Sequence, residues 1–134
     1  MVDVASINIY SDIDEIYNFM LDIHKINLWS LGIKWDDNNH EIIKGKSNYD
    51  NSIVYLKITT NKKIKQIKYW IGYDINNLNP RIYVYVIKTD TCNINKLSMV
   101  SYRTHDMNNE RWENLIESHS KEVKIIKNLI ENNI

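Results

Sequence analysis

The sequence predicts an α+β fold, a curved antiparallel sheet of about six strands wrapped around a long C-terminal helix. One or two short helices follow the first strand. Three observations carry this. Trp112, Leu115, Ile116, His119, Val123, Ile126 and Ile130 recur every three or four residues, so they form one stripe of a single helix from Met107 to Asn132. Between residues 41 and 105 the chain instead reads as consecutive β-segments parted by short Asn-rich turns. Ahead of both stands an apolar strand that runs directly into a helix-start signal.

That opening strand is Val4 to Tyr10, partly alternating. Ser11 stands at the N-cap position, with Asp12, Asp14 and Glu15 in the following turn. Ile13, Ile16, Tyr17, Met20 and His24 share one face of a helix expected over residues 12–24. It is short and amphipathic, so it must lie against something. From Ile26 to Asn39 the pattern weakens, and Asn27-Leu28-Trp29 with Gly32 indicates a bend or a second short helix. Trp29 and Trp35 are expected to plug one end of the core, with a pocket mouth as the alternative.

Strands are expected near residues 41–47, 52–60, 64–74, 81–89 and 95–105. Asn48-Tyr49-Asp50-Asn51, Asn61-Lys62-Lys63, Asn76 to Pro80 and Asp90 to Asn93 supply the turns. Connections this short make successive strands antiparallel neighbours, a meander. Tyr83, Tyr85 and Ile87 share one face of the 81–89 strand, and Ile82, Val84 and Val86 the other. Alternation alone does not decide which set faces the helix.

The terminal helix, roughly 35–40 Å long at 1.5 Å per residue, needs a broad apolar partner. Asp106, Asn108 and Asn109 are competent N-caps. Glu110, Glu113 and Glu117 precede Lys121, Lys124 and Lys127, the order the helix dipole favours. Ile125 and Leu129 widen the apolar stripe, for a second contact with the body of the chain or for contact with a second copy of it.

With 134 residues, the chain is expected to be one domain, residues 1–134, and 43% hydrophobic with 25% charged residues is an ordinary globular composition. Three glycines and one proline argue against a turn-dense sandwich. A single cysteine, Cys92, excludes an internal disulfide and fits a reducing compartment, so a cytoplasmic location is expected. Neither a secretory signal nor a membrane-spanning run is visible. Net charge is zero but unevenly spread. Residues 1–41 carry eight acidic and two basic side chains, whereas residues 44–68 carry seven lysines against Asp50 alone. Lysines guarding a solvated strand edge explain the second block better than an acidic partner does. Nucleic-acid binding is not expected at zero net charge.

The order strand, helix, broken helix, meander and long helix resembles the helix-grip fold of the SRPBCC superfamily, the START-related and polyketide-cyclase-like proteins. The resemblance is carried at one end by Ile7-Asn8-Ile9 and by the segment Ser11 to Met20, with Tyr17, Asp22 and Trp29 where the family usually has an aromatic, an aspartate and a tryptophan. Trp112 to Ile116 and Lys124 to Glu131 resemble its closing helix. One departure is the Asn-rich region after Trp29, where the family usually has a glycine-containing turn and a longer second strand. The resemblance implies a cavity between sheet and helix for a small, largely apolar ligand: a lipid, isoprenoid, polyketide or aromatic compound. It also allows a cyclase or dehydratase, or a chaperone-assisting interaction module, so whether the chain is an enzyme is left open.

The residues expected to line such a cavity are Tyr69, Tyr73, Tyr85, Met99, Trp112, Leu115, Ile116, His119 and Val123. His119 is the most informative, because it sits within the apolar stripe and a buried imidazole needs a partner. Either a strand hydroxyl holds it as a neutral core histidine, or it meets a polar group of the ligand. Tyrosines, nine in all, offer an apolar wall with an orienting hydroxyl, or simply cross-strand packing. Arg81, Arg103 and His105 fall near strand ends, where solvation is the plainer explanation than a pocket rim. Arg103 or a strand tyrosine could serve His119 as an acid–base partner, but no catalytic residue is assigned. No phosphate loop, His-Glu-x-x-His pair, Gly-x-Ser-x-Gly elbow or clustered Cys/His set is present, so no cofactor or metal is expected.

Overall fold

The structure is a computed structural model and describes residues 1–133. Its centre is one antiparallel sheet of seven strands in the order β1-β7-β6-β5-β4-β3-β2. In chain order the strands are β1 (Val2–Tyr10), β2 (Ile33–Trp35), β3 (Ile42–Ser47), β4 (Ile53–Asn61), β5 (Gln66–Gly72), β6 (Asn79–Lys88) and β7 (Ile94–Tyr102). The helices are α1 (Ile13–Leu21), α2 (Ile26–Trp29) and α3 (Asn109–Glu131). The helix-grip expectation holds: α3 lies on the concave face of the curled sheet.

Two local expectations are corrected. Asp12, not Ser11, caps α1, its carboxylate accepting the Glu15 amide at 2.7 Å. The helix expected over residues 12–24 stops at Leu21 because Asp22 is extended, at φ −77° and ψ 101°. The Asp22 carboxylate then caps a 3-10 turn, Ile23–Lys25, that leads into α2. The seventh strand, unforeseen, is β2, only three residues long and paired with β3. At the far end Asn108 caps α3, accepting the Arg111 amide at 2.8 Å.

The meander closes without glycine in its turns. Asn51 and Asn93 take positive φ, 62° and 63°, and no glycine does. Asparagine tolerates this left-handed region better than most residues.

The core lies between the concave face and the helices. Ile9, Val54, Leu56, Ile67, Val84, Leu97 and Met99 from the strands meet Ile16, Met20, Val123, Ile126 and Ile130 from the helices. Ile125 and Leu129 pack against the same cluster, the contact with the body of the chain. The C-terminal half of α3 also fastens onto the sheet's outermost strand. Lys127 Nζ donates to the Asn8 carbonyl at 2.7 Å, and the Tyr10 amide donates to Glu131 Oε2 at 2.8 Å. No described helix is long and apolar enough to cross a membrane.

On β6, Val84 and Val86 are buried towards the helices, whereas Tyr83, Tyr85 and Ile87 lie on the convex face. There Tyr83 meets Tyr102 edge-on at 5.2 Å, and Tyr85 accepts a hydrogen bond from Gln66 at 2.9 Å.

Candidate functional site

The first half of α3 does not close on the sheet. Between it, the α2–β2 segment and strands β4 to β6 remains a cavity of about 460 Å³. Its apolar wall includes Ile26, Trp29, Trp35, Leu56, Ile71 and Ile82. From α3 come Arg111, Asn114, Leu115, Ser118, His119 and Glu122, spaced as one helical face. This face is largely polar, and it sits beside the apolar stripe that anchors the same helix in the core.

His119 is buried, and its Nδ1 lies 2.6 Å from Ser101 Oγ on β7. The strand hydroxyl expected for a neutral core histidine is therefore a serine, and the ring also forms part of the cavity wall. Burial pulls its pKa down to about 4, so the imidazole is neutral at neutral pH. Glu122, one turn on, is equally buried. Its Oε2 accepts the Leu31 amide at 2.8 Å, while Oε1 has no partner. Burial pushes its pKa up to about 7, opposed by the Leu31 hydrogen bond. The 3.7 Å between His119 Nε2 and Glu122 Oε1 is too long for a hydrogen bond, and burial disfavours charge on both groups. Around neutral pH they are a neutral imidazole beside a carboxyl poised to ionise.

Leu31 and Gly32 belong to the cavity wall beside α3 and are held from two sides. Glu122 takes the Leu31 amide, and Asn48 reaches both carbonyls, that of Leu31 through its side chain and that of Gly32 through its amide, each at 2.8 Å. Arg111 is fixed at the mouth by Asp50 at 2.8 Å, between the rings of Tyr49 and Tyr73 at 5.5 and 5.2 Å.

Arg81 is the residue whose setting the sequence hides most. Tyr69 pairs with Ile82 but Trp70 pairs with Pro80, so a bulge leaves Arg81 without a strand partner. The extra residue breaks the alternation of β6 and lets Arg81 and Ile82, neighbours in sequence, both join the cavity wall. The guanidinium is 4% exposed, not solvated as a strand-end arginine would be. Its Nη2 has only long contacts, 3.5 Å to Thr104 Oγ1 and 3.5 Å to Asp106 Oδ2, and Nε has no partner. Burial lowers its pKa, and Asp106 opposes the shift.

Of the residues expected at the cavity, Tyr69, Leu115 and His119 line it. Tyr69 donates its hydroxyl to the Met20 carbonyl at 3.1 Å and meets Trp29 edge-on, so it contributes wall rather than a free hydroxyl. The others lie elsewhere. Tyr85 is on the convex face, and Tyr73 stands exposed past the end of β5 against Arg111. Met99 and Val123 are spent in the packed core, and Trp112, buried, and Ile116, half-buried, do not line the cavity. Trp29 and Trp35 are both buried plugs and cavity wall. Arg103 ties the turn before α3, donating to the Met107 carbonyl at 3.0 Å and to Asn109, and His105 is exposed. Among the described residues no cluster of His, Cys, Asp and Glu has the arrangement of a metal site.

No protein-family model matches the sequence, and no curated protein matches it either. Solved structures do match in fold. An uncharacterised protein from Bacillus thuringiensis superimposes with a TM-score of 0.71 at 12% identity, over 97% of this chain and 98% of that one. A START superfamily protein from Mycobacterium smegmatis gives 0.61 at 7% identity, over 99% and 96%. The di-domain aromatase/cyclase BexL of the BE-7585A biosynthetic pathway gives 0.67 at 12% identity, over 98% of this chain and 46% of BexL. At these identities the likeness establishes the fold, which is that of the START-related, polyketide-cyclase-like proteins.

Proposed function

We propose that the chain, acting as one helix-grip domain, binds a small, largely apolar molecule in the cavity between α3 and the sheet. The observation that carries this is the space of about 460 Å³ left where a filled core would otherwise be, walled by Trp29, Trp35, Leu56, Ile71 and Ile82. Burying ligand carbon there would contribute about 0.8 kcal/mol per methylene. Lipids, isoprenoids, polyketides and aromatic compounds all meet the requirement. The hollow favours this reading over a purely protein-interacting role, which has no need of one. Cys92, free and exposed, suits a reducing cytoplasm.

The uncharged fluorophore N-phenyl-1-naphthylamine is expected to brighten on binding at micromolar concentration and to raise the melting temperature. Leu115→Trp, which fills the cavity from the helix side, is expected to abolish both effects while the protein stays folded. No brightening with the unaltered chain would remove the binding reading.

The nearness of His119 to Glu122, 3.7 Å between Nε2 and Oε1, favours a second reading, an acid–base enzyme of the cyclase or dehydratase kind. A carboxyl with a pKa of about 7 beside a neutral imidazole can give and take protons near neutral pH. It would use Glu122 rather than the strand tyrosine or Arg103 expected from sequence. Turnover of a polyketide-like substrate lost in Glu122→Gln, with fluorophore binding kept, would establish it over simple carriage.

A further inference from the structure

We infer that the guest of this cavity is a carboxylic acid whose apolar body also carries a hydroxyl or amine, its carboxylate taken by Arg81 and its donor by Glu122. The inference rests on the binding reading above and names the class of molecule bound.

Two observations of opposite chemical sense point to it. Arg81 and Glu122 each expose only 4% of their surface, each contributes to the cavity wall, and each holds a buried polar atom that nothing among the described residues satisfies. On Arg81 it is a donor, Nε–H; on Glu122 it is an acceptor, Oε1. A guanidinium carries five N–H donors in a planar fork, and leaving it buried with two 3.5 Å contacts is costly. A planar carboxylate is the group that fits such a fork with two parallel hydrogen bonds. An unpaired buried carboxyl oxygen calls in the same way for an incoming O–H or N–H.

Charge fixes the guest as a monoanion. The other cations of the cavity wall are engaged more closely than Arg81, whose ion pair with Asp106 is 3.5 Å long: Arg111 pairs with Asp50 at 2.8 Å, and Lys121 pairs with Glu117 at 3.0 Å. A phosphate dianion would set a second negative charge near Glu122 and Glu117 with no further cation at hand. The apolar residues that share the wall with these polar groups call for carbon on the guest, as in a hydroxylated aromatic or alicyclic acid or a hydroxy fatty acid.

Displacement of N-phenyl-1-naphthylamine by a matched series tests this. 2-Naphthoate is expected to compete roughly 30-fold better than 2-naphthamide, and 6-hydroxy-2-naphthoate several-fold better again. 12-Hydroxydodecanoate against dodecanoate and dodecanamide separates a fatty acid from an aromatic one. Arg81→Gln is expected to erase the preference for carboxylate over amide, read as the ratio of the two competitors within that variant. Glu122→Leu is expected to erase the advantage of the hydroxyl. Equal competition by naphthoate and naphthamide, and by dodecanoate and dodecanamide, would overturn the inference and leave the cavity reading standing. So would a carboxylate preference that survives in Arg81→Gln. Failure of the fluorophore to bind at all would overturn both. The ranking on the unaltered chain decides the matter even if a variant does not fold.

Discussion

Replacing Glu122 by Gln is expected to stabilise the protein at pH 8 and to turn a nearly flat pH dependence below neutrality into a rising one. The buried carboxyl has a folded pKa of about 7 against an ordinary 4.5, so between those values the folded chain holds a proton that the unfolded chain has lost. Stability from this group is therefore fully present below pH 4.5 and is lost as pH rises through 7, by on the order of 3 kcal/mol. His119 works the other way. Its folded pKa of about 4 lies below the ordinary 6.5, so acidification protonates the unfolded chain first and stability is lost as pH falls from 6.5 to 4. The two slopes oppose each other between pH 4.5 and 6.5, and the unaltered protein should be nearly flat there. Arg81, Arg111, Glu117 and Lys121 share the cavity wall and are the same in both proteins. Glu122→Gln keeps an oxygen for the Leu31 amide and leaves only the histidine slope. Its stability should climb from pH 4 to 6.5, stay level above, and exceed that of the parent at pH 8 by about 2 kcal/mol. Urea denaturation at pH 4.5, 5.5, 6.5 and 8 measures this, and parallel curves for the two proteins would show that Glu122 titrates alike in the folded and unfolded chains.

Gly45→Ala is expected to cost about 3 kcal/mol, a large effect for one methyl group. Gly45 of β3 pairs with Trp35 of β2. A Cβ at this position would lie 2.4 Å from Trp35 Cε3 and 2.8 Å from Ile33 Cγ2. The indole is rigid and buried, so it must leave its place, taking with it the three-residue edge strand β2 and part of the cavity wall. Gly32→Ala is the matched control, since nothing lies within 4 Å of its Cβ and its φ is not positive. It should change stability by less than about 0.5 kcal/mol. Loss of fluorophore binding in Gly45→Ala but not in Gly32→Ala would tie Trp35 to the cavity. Equal stability of the two variants would show that the β2 edge yields freely.

What the sequence made readable follows from how many residues carry each signal. The long helix shows itself through six apolar positions and a run of acids before lysines, and its ends, Asn109 and Glu131, fall close to those expected. The meander was equally visible, because asparagine turns separate its strands. β2 is too short for any period to register, and only its pairing with β3 makes it a strand. Arg81 was hidden by a single inserted residue, for a bulge changes which side chains face inward and leaves no mark in the alternation. Glu122 was hidden for another reason. The cavity face of α3, from Arg111 through Ser118 to Glu122, has the composition of a solvent face, and a helix that walls a polar-tipped hollow looks from sequence like one that meets water. His119 was found because it interrupts an otherwise apolar stripe.

The fastening of Lys127 and Glu131 onto Asn8 and Tyr10 bears on how the protein keeps to itself at high concentration. A β-ribbon with a bare rim offers a ladder of amides and carbonyls on which a stranger chain can be laid, the first step towards fibrils. Here two side chains occupy rungs of that ladder, and the bulk of a helix stands across it. Removing the Lys127 amine would uncover a rung without touching the hollow, so clumping and guest capture should part company.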